Sequence, residues 1–386
     1  MGVIERAVSI MRGNNQKVVW LHCASLGEFE QGRPIIESLK ELLPEIKIVL
    51  TFYSPSGYNI RKDYMGAFLT TYLPLDTSKN ARRFIQAIKP DLAVFVKYEF
   101  WNNYFCELHK NNIPIVSVST ILRPEQVFFK FYGGFFRNIL KKVDSFFVQD
   151  KQTADLLKDT VAPKVFISGD TRFDRVCQTA LNVKPIPEVE KFKGQAKIMV
   201  IGSSWPADME RTSGFINIAA KKYGLKFILA PHEISEKGIK QQTRHVELEV
   251  VRYSQAKEDN INKADMLIID NIGMLSSLYS YGDYAYIGGA FGDGLHNTLE
   301  AAVFGMPLFF GNKNYKKFRE ATDLVRLGGA FPVENTETML AGFEEVLSRE
   351  QEIRSINKNY VQENSGATTK IVDYCVKLLG DGRNGN

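Results

Sequence analysis

The chain has 386 residues, of which 44% are hydrophobic and 24% are charged, a composition typical of a globular protein of two or three domains. Its net charge of +5 suits an anionic ligand or an acidic membrane surface, but no arginine-rich arm or zinc-finger spacing indicates a nucleic-acid partner. Its four cysteines form no Cys-x-x-Cys pair, and the sequence has neither a signal peptide nor an apolar run of the ~20 residues that span a bilayer, so we expect a cytosolic or membrane-peripheral protein.

The first half of the chain alternates short apolar runs with amphipathic stretches. Strand-like runs at 17–22 and 47–52, for example, flank a helical pattern at 34–43. Alternation at this spacing predicts a parallel sheet with helices on both faces, and therefore a doubly wound α/β domain over 1–180. The other strand-like runs of this half lie at 68–73, 92–96, 115–119, 145–148 and 165–168.

The turn after the first strand-like run carries Glu28. This residue follows Gly27 at the carboxyl end of a strand, where a side chain can take a proton from an incoming hydroxyl. The alternative is that Glu28 and Glu30 only complement the dipole of the helix that begins there. Spacing alone favours this second interpretation, because acidic residues are ordinary in first turns.

A polar segment containing Pro185, Pro187 and Gly194 interrupts the alternation and predicts a linker over 181–195. A second alternating series follows over 196–386, and its last helix is a candidate to cross back onto the first domain. The sequence thus predicts two Rossmann-like halves. Since ligands bind at the carboxyl ends of strands in open α/β sheets, we expect the corresponding loops to face a central cleft.

A loop with four glycines at 288–294 is the most informative stretch of the second half. It joins an apolar run to a helix that Asn297 and Glu300 open and Gly305 ends. Glycines let backbone N–H groups approach a ligand, and a helix N-terminus favours negative charge, so the loop could seat a nucleotide phosphate. The alternative is a plain strand-to-helix turn in which Asn297 and Glu300 only cap the helix, and spacing does not separate the two.

Five short motifs occur in a characteristic order along the chain. They are SLGE at 25–28, TFYSPSG at 51–57, EFWN at 99–102, GDTRFD at 169–174 and HNTLE at 296–300. This order resembles the 3-deoxy-D-manno-octulosonic acid (Kdo) transferases, inverting glycosyltransferases of GT-B fold that move Kdo from CMP-Kdo to a lipid A precursor in lipopolysaccharide assembly. The similarity runs from about residue 18 to about residue 332.

The resemblance implies catalytic roles for three residues of the first half. Glu28 matches the general base, Glu99 belongs to a second shared motif, and Arg172 stands where the family has a lysine that stabilises the transition state. Arg172 keeps the positive charge, but its planar fork differs in geometry from an ammonium. Lys97 stands where many members have a glutamate, and is either a cation near the donor or a solvated residue. Ser25 and Gly27 are further candidates because they precede the base.

The resemblance also implies donor-binding residues in the second half. Glu300 matches a glutamate that binds ribose hydroxyls, and the backbone of Asn297, Thr298 and Leu299 would meet the CMP phosphate. Three positions depart from the family pattern: the family has Pro-Arg-His at 231–232, Gly-Glu-Leu at 273–275 and Ser-Thr-His near 203–205. The corresponding candidates here are Pro231, His232, Gly273, Met274, Leu275, Ser204 and His296, and Trp205 replaces an imidazole. Taken by itself, the Gly273 stretch favours the alternative of a plain helix start.

Neither a metal nor a cofactor is expected. GT-B enzymes do not require an Asp-x-Asp metal motif, and none follows a predicted strand here. His22, His109 and His245 have no ligand-like partners in the sequence, so we expect structural roles for them.

Contact with a membrane is expected through surface features. Family members commonly begin with an apolar anchor helix, whereas this chain starts almost at its first strand, so we expect the anchor to be missing or removed. Basic and aromatic residues are interleaved over 123–142, which suits lipid headgroups and the phosphates of a lipid acceptor. The alternative is that these rings form core. The resemblance implies a peripheral position at the cytoplasmic face of the bacterial inner membrane.

The sequence therefore predicts a two-domain GT-B enzyme whose partners are CMP-Kdo, a lipid A precursor and a membrane surface, but no nucleic acid. Two other interpretations stay open. One is a transferase or epimerase of the same fold that uses a UDP-sugar, and the other is a non-catalytic two-domain protein that binds an anion.

Overall fold

The computed structural model describes residues 2–11, 13, 16–160, 164–292 and 294–381. The chain divides into two compact units: unit 1 comprises Met1–Arg175 and Asn364–Asn386, and unit 2 comprises Val176–Glu363. Each unit contains one parallel sheet, which has seven strands within the described ranges. The predicted α/β class with two doubly wound parallel sheets is confirmed.

The sheet of unit 1 has the order β3-β2-β1-β4-β5-β6-β7. Strands β1 and β4 are buried along their whole length, which explains their near-continuous apolar sequences VVWLHC and LAVFV. The strands are β1 Val18–Cys23, β2 Lys47–Phe52, β3 Leu69–Tyr72, β4 Leu92–Val96, β5 Ile115–Thr120, β6 Ser145–Val148 and β7 Lys164–Ile167.

Helices cover both faces of this sheet. Alternate residues of β1 enter different core clusters, Trp20 on one face and Leu21 on the other, because side chains alternate along a strand. The helices up to the end of unit 1 are α1 Val3–Met11, α2 Leu26–Leu42, α3 Pro55–Arg61, α4 Ser78–Ile88, α5 Asn102–Lys110, α6 Gly134–Leu140, α7 Lys151–Thr160 and α8 Thr171–Leu181, which crosses the boundary between the units.

The sheet of unit 2 has the order β10-β11-β9-β8-β12-β13-β14. Its core cluster includes Phe215, Tyr284 and Phe343. The strands are β8 Ile198–Ser204, β9 Lys226–Pro231, β10 Val250–Arg252, β11 Met266–Ile268, β12 Tyr284–Ile287, β13 Leu308–Gly311 and β14 Ala330–Val333. The helices are α9 Pro187–Lys193, α10 Pro206–Tyr223, α11 Glu236–Gln242, α12 Glu258–Ile261, α13 Leu275–Leu278, α14 Leu299–Ala302, α15 Arg319–Leu327 and α16 Thr336–Glu363.

The bounds of the two units differ from the predicted ones. The segment expected as a linker, 181–195, contains α9, whose Val189 and Phe192 are fully buried. The last helix, α17 (Ala367–Asp381), belongs to unit 1, in line with its expected crossing back, and its Ile371 and Cys375 enter the same core cluster as Leu21. In both segments the burial of apolar side chains accounts for the position of the helix.

Within the described ranges, no helix is both long enough and apolar enough to cross a bilayer.

Candidate functional site

The candidate residues of unit 1 gather where the strand order of its sheet reverses. Strand β1 pairs with β2 on one side and with β4 on the other, so the loops that follow β1 and β4 leave the sheet at its topological switch point. Ligands of doubly wound folds bind at such a point. The loop after β1 carries Ser25 and leads to Glu28, and the loop after β4 carries Lys97 and Glu99.

Glu28 occupies the first turn of α2, and its residue surface is only 5% exposed. Its Oε2 accepts a hydrogen bond of 2.9 Å from the backbone N–H of Ser25. Burial and then the negative charge of Glu99 raise the pKa of Glu28, against the opposing effects of Lys97 and of backbone N–H groups. Glu28 therefore caps the helix and is also a carboxylate of increased basicity, so the two interpretations of this residue do not exclude each other.

Glu99 lies beside a buried histidine. Its Oε2 is 3.8 Å from Nε2 of His22, and that same nitrogen lies 3.2 Å from the indole Nε1 of Trp101, which donates to it. Nδ1 of His22 is 2.9 Å from Oγ1 of Thr51. Because an indole N–H can only donate, Nε2 accepts and Nδ1 carries the imidazole hydrogen. Burial lowers the pKa of His22, which favours this neutral form.

Lys97 has a strained backbone at the end of β4. Its φ of 63° lies in the left-handed region, which is uncommon for residues other than glycine. The backbone N–H of Lys97 donates to the carbonyl oxygen of Val118 at 2.8 Å, which fixes this conformation. Lys97 is half-buried, and its charge lowers the pKa of Glu28. Lys97 is therefore a cation close enough to Glu28 to affect its ionisation, whereas its expected position near the donor stays a prediction.

Arg172 is held by Asp170. The guanidinium Nε and one terminal nitrogen each lie 2.8 Å from Oδ2 of Asp170, and the Arg172 backbone N–H donates to Oδ1 at 2.9 Å. Asp170 also accepts a hydrogen bond of 3.0 Å from Nε2 of Gln31 on α2, one turn after Glu28. Asp170 thus links Arg172 to α2, the helix that carries Glu28.

Gly57 allows the TFYSPSG loop to pack against the start of α2. A Cβ at Gly57 would lie 2.3 Å from the Phe52 ring and 3.1 Å from the carbonyl carbon of Ser25. At Gly27, by contrast, an added Cβ would have open space around it. The glycine at 57 is therefore required for close approach, whereas the structure shows no such packing reason for the one at 27.

In unit 2 the sheet reverses between β9 and β12, on either side of β8. Asp208, fully buried in α10, joins the loops that follow β8 and β12. Its Oδ2 accepts from the backbone N–H groups of Trp205 at 2.9 Å and Gly289 at 3.0 Å, and its Oδ1 accepts from the Tyr286 hydroxyl at 3.0 Å. Burial raises the pKa of Asp208, whereas these hydrogen bonds lower it. Sequence reasoning missed this residue.

Three rings meet at this switch point. The Trp205 indole is stacked on the His232 imidazole with centroids 4.3 Å apart, and the His232 and His296 rings are 4.9 Å apart. The Trp205 Nε1–H donates to Nε2 of His296 at 3.2 Å. Burial, and secondly the nearby His232, lower the pKa of His296. Ser204 precedes Trp205 but does not bind these rings. Its fully buried hydroxyl donates to Oε1 of Gln242 at 2.6 Å.

Two side chains donate hydrogen bonds to the Glu300 carboxylate. Nδ2 of Asn297 donates to its Oε1 at 3.0 Å, and the hydroxyl of Ser276 donates to its Oε2 at 2.7 Å. The Leu299 N–H, expected to meet a phosphate, instead donates to Oδ1 of Asn297 at 3.1 Å, because that side chain satisfies the first turn of α14. Thr298 is buried at the start of the same helix. Ser276 is a contact that sequence reasoning missed.

The remaining donor candidates occupy loop and strand-end positions of unit 2. Pro231 ends β9, and the backbone N–H of His232 donates to the carbonyl oxygen of Ser204 at 2.9 Å. Gly273 has a φ of +95°, which favours glycine, and it precedes Met274 and Leu275 at the start of α13. Within the part of the chain that the structure describes, no group of three His, Cys, Asp or Glu side chains is placed to hold a metal ion.

Comparisons with known proteins agree with the motifs. The family model described as 3-Deoxy-D-manno-octulosonic-acid transferase (kdotransferase) matches residues 2–175. A 3-deoxy-D-manno-octulosonic acid transferase of Aquifex aeolicus is 28% identical over 90% of this chain and 90% of the relative. One of Chlamydophila psittaci is 29% identical over 83% of this chain and 75% of the relative.

Solved structures share the fold at low sequence identity. A UDP-GlcNAc 2-epimerase from Neisseria meningitidis has a TM-score of 0.66 at 14% identity, covering 94% of this chain and 100% of that one. A glycosyltransferase from Rickettsia africae has a TM-score of 0.58 at 13% identity, covering 96% and 100%. These likenesses confirm the predicted GT-B architecture. The family match over residues 2–175 and the two relatives confirm the predicted resemblance to the Kdo transferases, which are glycosyltransferases.

Proposed function

We propose that this protein transfers Kdo from CMP-Kdo to a sugar hydroxyl of a lipid A precursor. The observation that carries the proposal is the environment of Glu28. This carboxylate is buried at the switch point of unit 1, bound to the Ser25 N–H and next to the negative charge of Glu99, within the part of the chain that matches the family model. Carboxyl groups with perturbed pKa values are concentrated at functional sites.

Glu28 acts as the general base of this reaction. Its carboxylate removes the proton of the acceptor hydroxyl while that oxygen attacks the anomeric carbon of Kdo. The bond between this carbon and the CMP phosphate oxygen breaks, CMP leaves with the electron pair, and the proton stays on Glu28. Attack from the face opposite CMP inverts the anomeric carbon and needs no covalent intermediate. The raised pKa of Glu28 makes proton removal more favourable than it would be for a glutamate in water.

Arg172 stabilises the negative charge that develops during transfer. Its side chain retains 31% exposure although Asp170 binds it, so part of the guanidinium stays accessible. The contacts with Asp170 fix the direction of the guanidinium before substrate arrives. A cation held in this way needs little reorganisation in the transition state.

Unit 2 binds the sugar nucleotide. Each carboxylate oxygen of Glu300 receives one hydrogen bond from a protein side chain, from Asn297 or from Ser276. Since a carboxylate oxygen can accept two, capacity remains for the ribose hydroxyls of CMP. Asn297 and Ser276 fix the carboxylate for this contact. The cluster of Trp205, His232 and His296 lies at the switch point of the same sheet.

The stretch 123–142 of unit 1 contacts the membrane that holds the lipid acceptor. Phe131 is 95% exposed, Tyr132 is 64% exposed and Phe135 is 60% exposed. Lys130 and Lys141 lie within the same stretch, and a basic, aromatic surface suits anionic headgroups. Other rings of the stretch, among them Phe128 and Phe129, pack against the core cluster. We call the group of Phe131, Tyr132 and Phe135 the aromatic surface patch.

Nucleotide binding tests this proposal against the use of a UDP-sugar. We expect CMP to raise the melting temperature of the protein and UDP to leave it unchanged, because a ligand that binds the folded state stabilises it. A shift with UDP and none with CMP would overturn the assignment of the donor. The fold alone does not decide between the two, since proteins of one fold host different substrates.

A further inference from the structure

Trp205 links the loops at the switch point of unit 2. It is the N-cap residue of α10, directly after β8, and its backbone N–H is bound by Asp208. Its indole lies flat on His232, and its Nε1–H reaches Nε2 of His296 at 3.2 Å. The indole therefore has both a face contact and a directional hydrogen bond, each to a different histidine.

The backbone at Gly289 also fixes the position of His296, the acceptor of this hydrogen bond. Gly289 has a φ of +95°, and its N–H donates to the same Asp208 oxygen that binds the Trp205 N–H. A Cβ at Gly289 would lie 2.9 Å from Cδ2 and 3.3 Å from Nε2 of His296. The glycine thus allows the His296 ring to pack directly against the backbone. Asp208 holds the loops after β8 and β12 together by binding one N–H group of each.

This geometry determines where the His296 imidazole carries its hydrogen. An indole N–H is a donor only, so Nε2 of His296 must present its lone pair. A hydrogen on Nε2 would point at the indole hydrogen and destroy the contact. The ring is therefore neutral, with its hydrogen on Nδ1, and the closeness of the His232 ring also disfavours an imidazolium.

We infer that Trp205 is a positioning residue for donor binding: it holds His296 as the neutral Nδ1–H tautomer, which donates a hydrogen bond to an oxygen of the sugar nucleotide. This inference rests on the proposed function, because it takes unit 2 to be the donor-binding part of the enzyme. It also explains how this chain functions with a tryptophan at a position where the resemblance leads one to expect a histidine. The indole does not replace an imidazole at the ligand but orients a neighbouring one.

The test combines nitrogen NMR of the histidines with CMP binding. In protein labelled with ¹⁵N-histidine at pH 7.5, we expect His296 to show a protonated Nδ1 and an unprotonated Nε2, with the signal assigned through the His296→Gln variant. Trp205→Phe keeps an aromatic ring for stacking but removes the donor, so the Nε2–H tautomer should appear. Affinity for CMP should fall by roughly three- to tenfold, as expected for one misplaced hydrogen bond.

Two further variants keep the inference falsifiable. Trp205→His keeps an aromatic ring that can accept as well as donate, so it should also give a mixture of His296 tautomers and a weaker affinity for CMP, and it provides a second test if Trp205→Phe fails to fold. His245→Gln changes an exposed histidine outside this cluster and should leave both readouts unchanged. An Nε2–H tautomer in the wild-type protein, or an unaltered tautomer and unaltered CMP affinity in folded Trp205→Phe, would overturn the inference. Kdo transfer by the wild-type protein would still support the proposed function in that case.

Discussion

Nε2 of Gln31 donates a hydrogen bond of 3.0 Å to Oδ1 of Asp170, although the two residues lie 139 positions apart in the sequence. Gln31 is one turn from Glu28 on α2, and Asp170 binds the Arg172 guanidinium. The hydroxyl of Thr171 also donates to the backbone carbonyl of Gln31 at 2.6 Å. These hydrogen bonds therefore join the segment that carries the proposed cation to the helix that carries the proposed base.

Replacing Arg172 tests the role of this cation. Arg172→Met should lower kcat by about 10- to 100-fold, because it removes a preorganised positive charge from the transition state. Arg172→Lys should lose less, since it keeps the charge without the planar fork that Asp170 binds. Steady-state rates with CMP-Kdo measure both. Arg83→Met, which removes an exposed arginine paired with Glu5, is the matched control and should keep the wild-type rate. A wild-type rate in Arg172→Met would remove this residue from the mechanism.

The charges around Glu28 predict two opposite shifts in the pH profile. Transfer requires ionised Glu28, so kcat should fall as pH decreases through the pKa of this residue. Glu99 raises that pKa and Lys97 lowers it. Glu99→Gln should therefore move the acidic limb of the profile to lower pH, and Lys97→Met should move it to higher pH. Profiles of kcat against pH for both variants measure the effect, and shifts in the same direction would be incompatible with Glu28 as the titrating base.

Glu28→Gln should leave the folded protein at least as stable as the wild type at neutral pH. A carboxyl group whose folded-state pKa is raised stabilises the protein below its ordinary pKa of 4.5, and this contribution is lost as pH rises through the folded-state pKa. At pH 7.5 the buried charge therefore opposes folding. The glutamine amide can still accept from the Ser25 N–H, so the melting temperature should equal or exceed that of the wild type, and any gain should fade towards pH 4.5. A melting temperature several degrees lower at pH 7.5 would contradict this account of the Glu28 environment.

The aromatic surface patch predicts membrane binding. The triple variant Phe131→Ser, Tyr132→Ser and Phe135→Ser should bind vesicles of phosphatidylethanolamine and phosphatidylglycerol at least about tenfold more weakly, because it removes apolar area that would enter the headgroup boundary. Sedimentation with vesicles measures this. Met65→Ser, which changes another exposed apolar residue, should bind as the wild type does. Unchanged vesicle binding of the triple variant would assign membrane contact to another surface.

Much of the fold was predictable because local sequence patterns determine its strands and turns. Apolar runs such as that of β4 predicted buried parallel strands. The helix expected at 34–43 was placed too late, because α2 begins at Leu26 and contains Pro34 within its length. The glycines around 288–294 correctly indicated a loop before a short helix. The motif order led to the resemblance to Kdo transferases, which the comparisons confirm. The catalytic and donor-binding roles of individual residues remain predictions.

The missed contacts join residues far apart in sequence. His22 was expected to be structural and without a partner, but Trp101, 79 positions later, donates to it and Glu99 lies beside it. Trp205 and His296 are 91 positions apart, and Ser276 lies 24 positions before Glu300. The periodicity of a local stretch does not indicate such pairings, because they arise only when the fold brings separate segments of the chain together.

The most direct test of the central claim is the mass of the product formed from CMP-Kdo and a lipid A precursor. We expect the wild-type protein to release CMP and to give a product heavier by one or more Kdo residues. Glu28→Gln should form this product at least about 100-fold more slowly, as expected for loss of a general base. Glu30→Gln, on the same helix and paired with Arg61, should retain the wild-type rate. A lipid of unchanged mass after incubation with the folded wild-type protein, or equal rates for the wild type and Glu28→Gln, would contradict the account.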